Sequence, residues 1–425
     1  MRFGGYLVDR RPLAIPAFRR LWLASAVTAV GGSFGVVVVP TQLFTLTGSS
    51  AAIGLSAVVA MATLIVAALR CGTLADAMDR RRLMLAGNGG LGLAYAGLFL
   101  QAFLGLDSVA ALLALVALQG ASYGAVLTTT GAAVPRVVPA EQLAAANSLG
   151  SLTRYTGAVV GPLLAGALIP VVGPATLYLL DALALTVVLW AVRRLPAMPP
   201  AAGTPTIRPR VGEGLRYLLS RRVLVAVIAI DLAAMVFALP FALYPELAER
   251  AYGGPPGGGQ QLGLLFAAYP AGVLLAGLLS GTFSRAARHG ALMAVAAVAW
   301  GCCVVLLGLA PRLWLALAAL VAGGAVNGVL STFRNAISQA HTDDQLRGRI
   351  QGLMTVVLVG GPQLANLWHG FGGAALGARP AVGIGGAVTV VAVVLVVRTV
   401  PELWWYDGTR AGDPAEQRVR LDEAA

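Results

Sequence analysis

The chain of 425 residues has few charged residues, no lysine, three cysteines and three histidines. Charged residues make up 11% of it, less than half the share of roughly 25% that is typical of soluble globular domains. Apolar residues reach 58% before the 53 glycines are counted, and the mean hydropathy is +0.81. No water-soluble fold of this size has enough interior to bury that much apolar surface. The composition therefore excludes a soluble enzyme, a disordered chain and a secreted disulfide scaffold.

The scarce residue types also limit the chemistry. Without lysine there is no phosphate-binding loop of the G-x-x-x-x-G-K-[ST] type, so no ATP site is expected. The histidines are far apart in the sequence. This scatter argues against the alternative of a membrane-embedded enzyme, which would concentrate histidines, acids and a nucleophile near one face. The cysteines lie in or beside apolar runs without metal-ligand spacing, and we expect them to act as small apolar residues: Cys71, Cys302 and Cys303.

Apolar runs long enough to cross a bilayer recur along the chain. A transmembrane helix needs about 20 apolar residues. The first run follows an arginine-rich N-terminus and is too long for a signal peptide, so we expect it to remain as an anchor. Reading for runs bounded by charge or by Pro/Gly turns predicts twelve, numbered here as spans 1 to 12: 20–46, 51–70, 83–105, 109–132, 144–171, 174–192, 223–246, 261–283, 291–310, 313–333, 350–373 and 380–400.

All basic residues are arginines, and they give a net charge of +12. In a soluble protein this charge would suggest nucleic acid. Assigned to the loops, however, the arginines fall almost entirely on the side of the membrane that holds the N-terminus. The other side holds only Arg250, Arg312 and Arg379, and Arg154 lies within span 5. The positive-inside rule then predicts a multi-pass protein of the cytoplasmic membrane with both termini in the cytoplasm and no nucleic-acid partner.

The spans form two groups of six. GTLADAMDRRRL (72–83) after span 2 is echoed by GTFSRAARHGAL (281–292) after span 8, and such a duplicated unit is typical of two-bundle transporters. A Pro-rich stretch separates the groups and ends in a segment whose Val211, Leu215, Leu218 and Leu219 share one face, as expected for a helix on the inner membrane surface. The predicted domains are a first bundle, a linker, a second bundle and a cytoplasmic tail: 1–192, 193–222, 223–400 and 401–425.

The segment after span 2 resembles the loop signature of the major facilitator superfamily, G-x-L-A-D-R-x-G-R-R-R. It departs from that signature at Ala77 and Asp79, and it matches at Gly72, Leu74, Ala75, Asp76, Arg80, Arg81 and Arg82. The resemblance implies a latch in which Asp76 caps a neighbouring helix and pairs with an arginine, stabilising one state of alternating access. The alternative is an ordinary stop-transfer loop whose arginines only fix the orientation.

Span 5 carries a second signature, GAVVGPLLAG (157–166). It resembles the antiporter motif of twelve-span exporters, with Ala165 in place of one glycine and with matches at Gly157, Gly161, Pro162 and Gly166. Small residues and a Gly-Pro kink allow tight helix packing, which would resist proton leak. The alternative is a general packing face of small residues.

Further stretches, among them PRVVPAEQLAAANSL (135–149) and RGRIQGL (347–353), are similar to the enterobactin-exporter-like branch, which includes siderophore exporters and multidrug efflux proteins. The resemblance runs from about residue 17 to residue 400. It implies an all-α integral membrane fold with two pseudo-symmetric six-helix bundles. It also implies a monomeric exporter of a small organic molecule, driven by a proton gradient without a cofactor. An uncoupled or import-direction transporter is the alternative.

Three ionisable residues lie within predicted spans: Arg154 in span 5, Asp181 in span 6 and Asp231 in span 7. Such groups are costly in a bilayer and mark functional sites by default. An acid could couple export to protons, and Arg154 could bind an anionic or catechol-like cargo; the alternative is a buried pair that only fixes packing. The sequence leaves open whether Arg154 pairs with either acid. Glu246, at the end of span 7, is expected to face water.

Aromatic and amide side chains within the spans are candidates for binding an amphipathic cargo, since ligand pockets are mostly apolar with a few polar groups. Each of them could instead serve packing. We expect no catalytic residue and no metal site. The cavity candidates are Phe34, Gln42, Gln119, Tyr123, Tyr155, Phe237, Tyr269 and Asn327.

Overall fold

The computed structural model of the chain describes residues 9–130, 138–195, 211–283, 286–340 and 347–407. These residues are overwhelmingly helical, and no strand occurs among them. Ten helices in the described part are long and apolar enough to cross a membrane. One of these, Ala145–Arg193, contains both span 5 and span 6, and the helix Arg347–Leu376 corresponds to span 11. The all-α membrane fold is therefore confirmed, and the helices are consistent with twelve spans.

The helices follow the predicted spans closely. Span 1 consists of two helices, spans 5 and 6 form one long segment, and a short helix precedes span 7. In chain order the bounds are Pro16–Gly31, Phe34–Thr47, Ser50–Ala77, Arg80–Phe103, Val109–Thr130, Leu143–Arg193, Val211–Ser220, Arg222–Val236, Gln260–Leu278, His289–Leu309, Leu313–Ala340, Arg347–Leu376 and Ala378–Thr399.

Local chemistry sets several of these bounds. The Asp79 side chain accepts a hydrogen bond from the Arg81 N–H at 2.9 Å, which makes Asp79 the N-cap of span 3. Asp79, which replaces the glycine of the superfamily signature, therefore caps the helix of span 3. Spans 5 and 6 meet at Gly173, whose φ of +74° is left-handed and changes the direction of the helix. In the short helix Val211–Ser220, Leu218 is buried and Leu219 is exposed.

Span 1 is discontinuous. Its first helix ends at Gly31 and its second begins at Phe34, with Gly32 and Ser33 between them. Gly and Ser pairs are a common cause of sharp helix kinks, because they weaken the local hydrogen-bond ladder. The second helix therefore starts with free backbone N–H groups in the middle of a predicted span.

Span 7 is also discontinuous. Its helix ends at Val236, and the chain then passes through 237–240 without helical structure. It continues in short 3-10, α and π turns as far as Ala251. Pro240 lies in the break and cannot donate a backbone hydrogen bond, so the helix does not run on through this point.

Contacts divide the chain into two compact units. The first comprises Met1–Thr206 and Tyr244–Ala267, and the second comprises Ile207–Leu243 and Ala268–Ala425. The segment Tyr244–Ala267, here called the strap, contains the last turns of span 7, the loop that follows and the first turns of span 8. The strap therefore belongs with the first unit, although the rest of spans 7 and 8 belongs to the second.

Candidate transport site

The break in span 1 is capped by Asp181 of span 6. The Asp181 side chain is 0% exposed, and its Oδ2 accepts a hydrogen bond from the Gly35 N–H at 2.7 Å. Ser33 makes no side-chain cap, so the carboxylate fills that role from a different helix. The positive end of the helix dipole adds to the stabilisation of the negative charge. Asp181 thus ties span 6 to the second half of span 1.

Span 5 packs against the same break through its antiporter-like motif. A Cβ atom at Gly157 would overlap the Ala29 carbonyl, and one at Gly161 would overlap the Ser33 hydroxyl. Only glycine lets the two backbones approach this closely. Pro162 and Gly166 follow, buried in the same helix. Spans 5 and 6 therefore both contact the point where span 1 is broken.

Two hydrogen-bonded groups of polar side chains lie inside the first unit. Gln119 Nε2 donates to the Tyr95 hydroxyl at 2.8 Å. Gln42 Oε1 accepts from Gln101 Nε2 at 3.1 Å and from the Tyr178 hydroxyl at 2.9 Å. The cavity candidates Gln42 and Gln119 thus each belong to one of these groups. No pattern in the sequence singles out their partners Tyr95, Gln101 and Tyr178, although each is a polar residue within a predicted span.

Among the residues that the structure describes, Arg154 forms no ion pair with an acid. Its side chain is exposed; Nη2 donates to the Ser151 hydroxyl at 3.0 Å, and its guanidinium carbon lies 5.9 Å from the centre of the Tyr155 ring. Within the described ranges no ion pair joins Arg154 to Asp181 or Asp231. Of the aromatic candidates in the first unit, Tyr155 and Tyr123 are exposed and Phe34 is buried.

Asp231 forms a buried ion pair with Arg334 of span 10. Arg334 Nη1 lies 2.8 Å from Asp231 Oδ1 and 3.1 Å from Oδ2, and the two residues are 7% and 2% exposed. The predicted end of span 10 at residue 333 wrongly leaves Arg334 in the loop that follows. The helix of span 10 extends to Ala340, well beyond its predicted end at residue 333, and places Arg334 inside.

Neutral side chains of the second unit donate hydrogen bonds to the backbone carbonyl groups at the break in span 7. Trp300 Nε1 donates to the Ala234 carbonyl at 3.0 Å, and the Thr389 hydroxyl donates to the Ala233 carbonyl at 3.3 Å. His369 Nε2 donates to the Phe237 carbonyl at 3.1 Å. Trp300 and His369 supply donors to the Ala234 and Phe237 carbonyls, as buried carbonyl groups require, whereas the Ala233 carbonyl also accepts the helical bond from the Phe237 N–H at 3.2 Å.

The cavity candidates of the second unit lie among aromatic contacts. The Phe237 ring packs edge-on against Trp368, with their centres 5.0 Å apart. The Tyr269 hydroxyl donates to Asn327 Oδ1 at 3.0 Å, and Asn327 is buried. These three candidates therefore already have partners inside the second unit.

The loop after span 2 is described only in part. Gly72 and Asp76 lie in the helix Ser50–Ala77, but their side-chain surroundings fall outside the described residues. The Arg81 guanidinium donates to the Arg193 carbonyl at the end of span 6, and Arg80 is half-buried. The proposed latch at this loop stays a prediction.

Glu246 does not face water, which corrects the expectation from the sequence. It is 7% exposed, and its Oε2 accepts a hydrogen bond from the Ser50 hydroxyl at 2.5 Å. The strap brings Glu246 against the start of span 2, a long-range contact that hydropathy does not reveal. Among the described residues no group of three or more His, Cys, Asp or Glu side chains could hold a metal ion.

Comparison with known families matches residues 9–409 to a family described as transmembrane secretion effector. The enterobactin exporter EntS of Escherichia coli O139:H28 (strain E24377A / ETEC) is 29% identical over 385 residues, which cover 90% of this chain and 91% of that protein. The protein of the same name from Citrobacter koseri is 29% identical over 390 residues, covering 91% and 92%.

Solved structures of transporters share the fold. A POT family transporter in complex with thioalcohol conjugated peptide has a TM-score of 0.70 and 13% identity, covering 91% of this chain and 96% of that one. A bacterial homologue of the human lysosomal transporter Spinster, inward-facing and unoccupied, has a TM-score of 0.68 and 16% identity, covering 95% and 98%. At these identities the likeness extends to the fold alone.

The buried pair predicts a test of stability. We expect Asp231→Asn and Arg334→Gln each to lower the thermal unfolding midpoint in detergent by several degrees, since removing one partner of a buried pair costs ~3–5 kcal/mol. The double variant should recover a large part of that loss, because it leaves no uncompensated charge.

The matched control is the exposed pair of Arg11 and Asp9, whose atoms approach to 2.6 Å but remain in water. Neutralising either member there should leave the midpoint nearly unchanged, because exposed pairs contribute little. Strictly additive losses in the Asp231 and Arg334 variants would contradict the pairing.

Proposed function

Because the chain belongs to the transmembrane secretion effector family, a branch of the major facilitator superfamily, we propose that it exports a small organic molecule across the cytoplasmic membrane in exchange for protons. The family and the fold are those of membrane transporters, which confirms the predicted class over an enzyme. Export in particular is supported by the family description and by the relatives named as enterobactin exporters.

We propose that Arg154 binds the cargo and that the cargo is an anionic, siderophore-like molecule. An arginine directed at lipid would be costly, so an exposed Arg154 that lies within a span and has no ion pair in the described part of the chain is best explained by a water-filled path. A guanidinium is planar, presents several donors and stacks on rings, which suits carboxylates and catecholates. Tyr155 and Tyr123, both exposed, supply aromatic surface in the same unit.

Asp181 is the better candidate for the proton carrier. Asp231 is held by a cation, Arg334, whereas Asp181 is held by the backbone N–H of Gly35 at the start of a half-helix. Within the described ranges no arginine is ion-paired with Asp181. A proton on Asp181 would remove the charge that caps span 1. Protonation is thereby linked to the geometry of the break, which is the single observation that carries the proposal.

Cargo and proton act on the same helix in this mechanism. Arg154 lies about one turn before Gly157, the residue of span 5 that packs against span 1. At 1.5 Å per residue, Arg154 is roughly 10 Å along the axis from Gly161, which contacts the break. Cargo bound at Arg154 and a proton bound at Asp181 would therefore each change the packing around span 1.

The remaining features of the proposal follow from composition and topology. Both termini lie in the cytoplasm, since the arginine-rich loops stay inside. The proton gradient is the driving force, and the protein acts as a monomer in the inner membrane without a cofactor or a nucleic-acid partner.

The proton role is tested with Asp181→Asn. In inside-out vesicles with an acidic lumen, wild type should accumulate enterobactin, and the variant should lose at least about tenfold of that gradient-driven uptake. Exchange of labelled for unlabelled enterobactin without a gradient should persist, because the amide oxygen still accepts the Gly35 hydrogen bond.

Asp107→Asn is the matched control, since Asp107 is an exposed acid in the loop between spans 3 and 4 and should leave both activities unchanged. If Asp181→Asn kept full dependence on the pH gradient, the proton would have to bind elsewhere. Equal uptake by wild type with and without the gradient would favour an uncoupled facilitator.

The cargo role is tested with Arg154→Gln and Arg154→Lys. We expect the glutamine variant to raise the KM for enterobactin about tenfold with kcat nearly kept, since a hydrogen bond to a charged group contributes ~1.5–3 kcal/mol. The lysine variant should fall between it and wild type. If both variants have the KM of wild type, Arg154 does not bind the cargo.

A further inference from the structure

The strap is fastened to the first unit at a buried acid. Glu246 Oε2 accepts the hydrogen bond from Ser50, the first residue of the span 2 helix, and Ser50 is itself 1% exposed. A hydrogen bond to an ionised acceptor out of water is among the stronger contacts in proteins. The last turns of span 7 are therefore tied to the start of span 2.

Arg250 makes a second fastening, one turn further along the strap. Its Nη2 donates to the Gly48 carbonyl at 3.0 Å, and its guanidinium carbon lies 5.1 Å from the centre of the Phe44 ring. Gly48 closes the second helix of span 1 with a left-handed φ of +64°. A cation at this point complements the negative end of the helix dipole. Arg250 Nη1 also lies 3.4 Å from Glu246 Oε1, so the two fastenings are joined.

The other arm of the strap, which comprises the loop after span 7 and the first turns of span 8, packs on span 5. A Cβ at Gly166, the last glycine of the antiporter-like motif, would overlap the backbone of Gly263. A Cβ at Gly258, whose φ is +131°, would meet the side chain of Ile169. The strap thus contacts spans 1, 2 and 5 by polar contacts at one arm and close backbone packing at the other.

Both connections from the strap to the second unit have a proline that removes a backbone hydrogen bond, Pro240 in the break of span 7 and Pro270 within the continuous helix of span 8. Span 7 enters the strap after Leu243, a few residues beyond the break at 237–240. Span 8 leaves the strap after Ala267 and carries Pro270 within its helix. A missing backbone hydrogen bond lowers the cost of bending, so each crossing point has a candidate hinge beside it.

We propose that the strap is an outer latch, fastened by Glu246 and Arg250, that releases from spans 1 and 2 in each transport cycle so that cargo leaves on the extracellular side. The inference rests on the proposed function for the existence of that cycle and for the orientation of the spans. It assigns Glu246, Arg250 and Ser50 as positioning residues of the release step.

The first test measures opening directly, without cargo or gradient. Leu262, in the span 8 arm of the strap, is 1% exposed. In a background in which Cys71, Cys302 and Cys303 are replaced by alanine, Leu262→Cys is labelled on whole cells with a membrane-impermeant maleimide. Adding Glu246→Gln or Arg250→Gln should raise the labelling rate about tenfold, which corresponds to ~1.4 kcal/mol.

The control for this test is Asp107→Asn, which removes a carboxylate charge that lies outside the strap and should leave labelling unchanged. If Glu246→Gln and Arg250→Gln both leave the labelling rate at the wild-type value, the proposal that the strap is an outer latch is overturned. That result would leave the proposed export untouched, because the measurement involves neither enterobactin nor protons.

The second test asks whether release is needed for transport. Ser50→Cys and Glu246→Cys are combined in the same background and joined by a short, reducible bis-methanethiosulfonate. Cross-linking should reduce enterobactin transport at least about tenfold, and a reductant should restore it, each sample being compared with itself before treatment. Undiminished transport by fully cross-linked protein would show a static contact. If the double variant is inactive before treatment, the labelling rates decide.

Discussion

The hydrogen bond from the Gly35 N–H to Asp181 ties span 6 to the point where span 1 is broken, and the packing of the first unit around that point depends on it. A helix that restarts in the middle of a span exposes backbone N–H groups that lipid cannot satisfy. Asp181 supplies the acceptor from span 6, while Gly157 and Gly161 bring span 5 onto the other side of the break. Spans 1, 5 and 6 therefore meet at the break in span 1, and the charge on the Asp181 carboxyl group influences the packing of all three.

The two units solve the same structural problem with different chemistry. Each contains a broken span, span 1 in the first unit and span 7 in the second. The backbone carbonyl groups at the break in span 7 accept hydrogen bonds from the neutral donors of Trp300, Thr389 and His369. The acid of span 7, Asp231, is neutralised by Arg334. The buried acid of span 7 is thus neutralised, whereas in the described part of the first unit neither Asp181 nor the exposed Arg154 forms an ion pair.

The sequence predicted what lipid and close packing impose, and missed what tertiary contacts decide. The sequence predicts the spans because a bilayer requires long apolar helices. It predicts the packing role of the motif glycines because only small residues allow two helices to approach closely. The partner of Asp181 is a backbone N–H, which leaves no mark in the sequence. Arg334 resembled a loop residue because an arginine near a helix end usually is one. The burial of Glu246 depends on the strap, whose attachment no local pattern encodes.

The most direct measurement is the number of protons released when enterobactin binds to the purified protein in weakly buffered detergent solution. If cargo and proton compete through span 1, wild type should release about one more proton per bound enterobactin than Asp181→Asn, with protons from the ligand itself cancelling in the difference. Equal proton release by the two proteins would contradict the coupling of transport to Asp181.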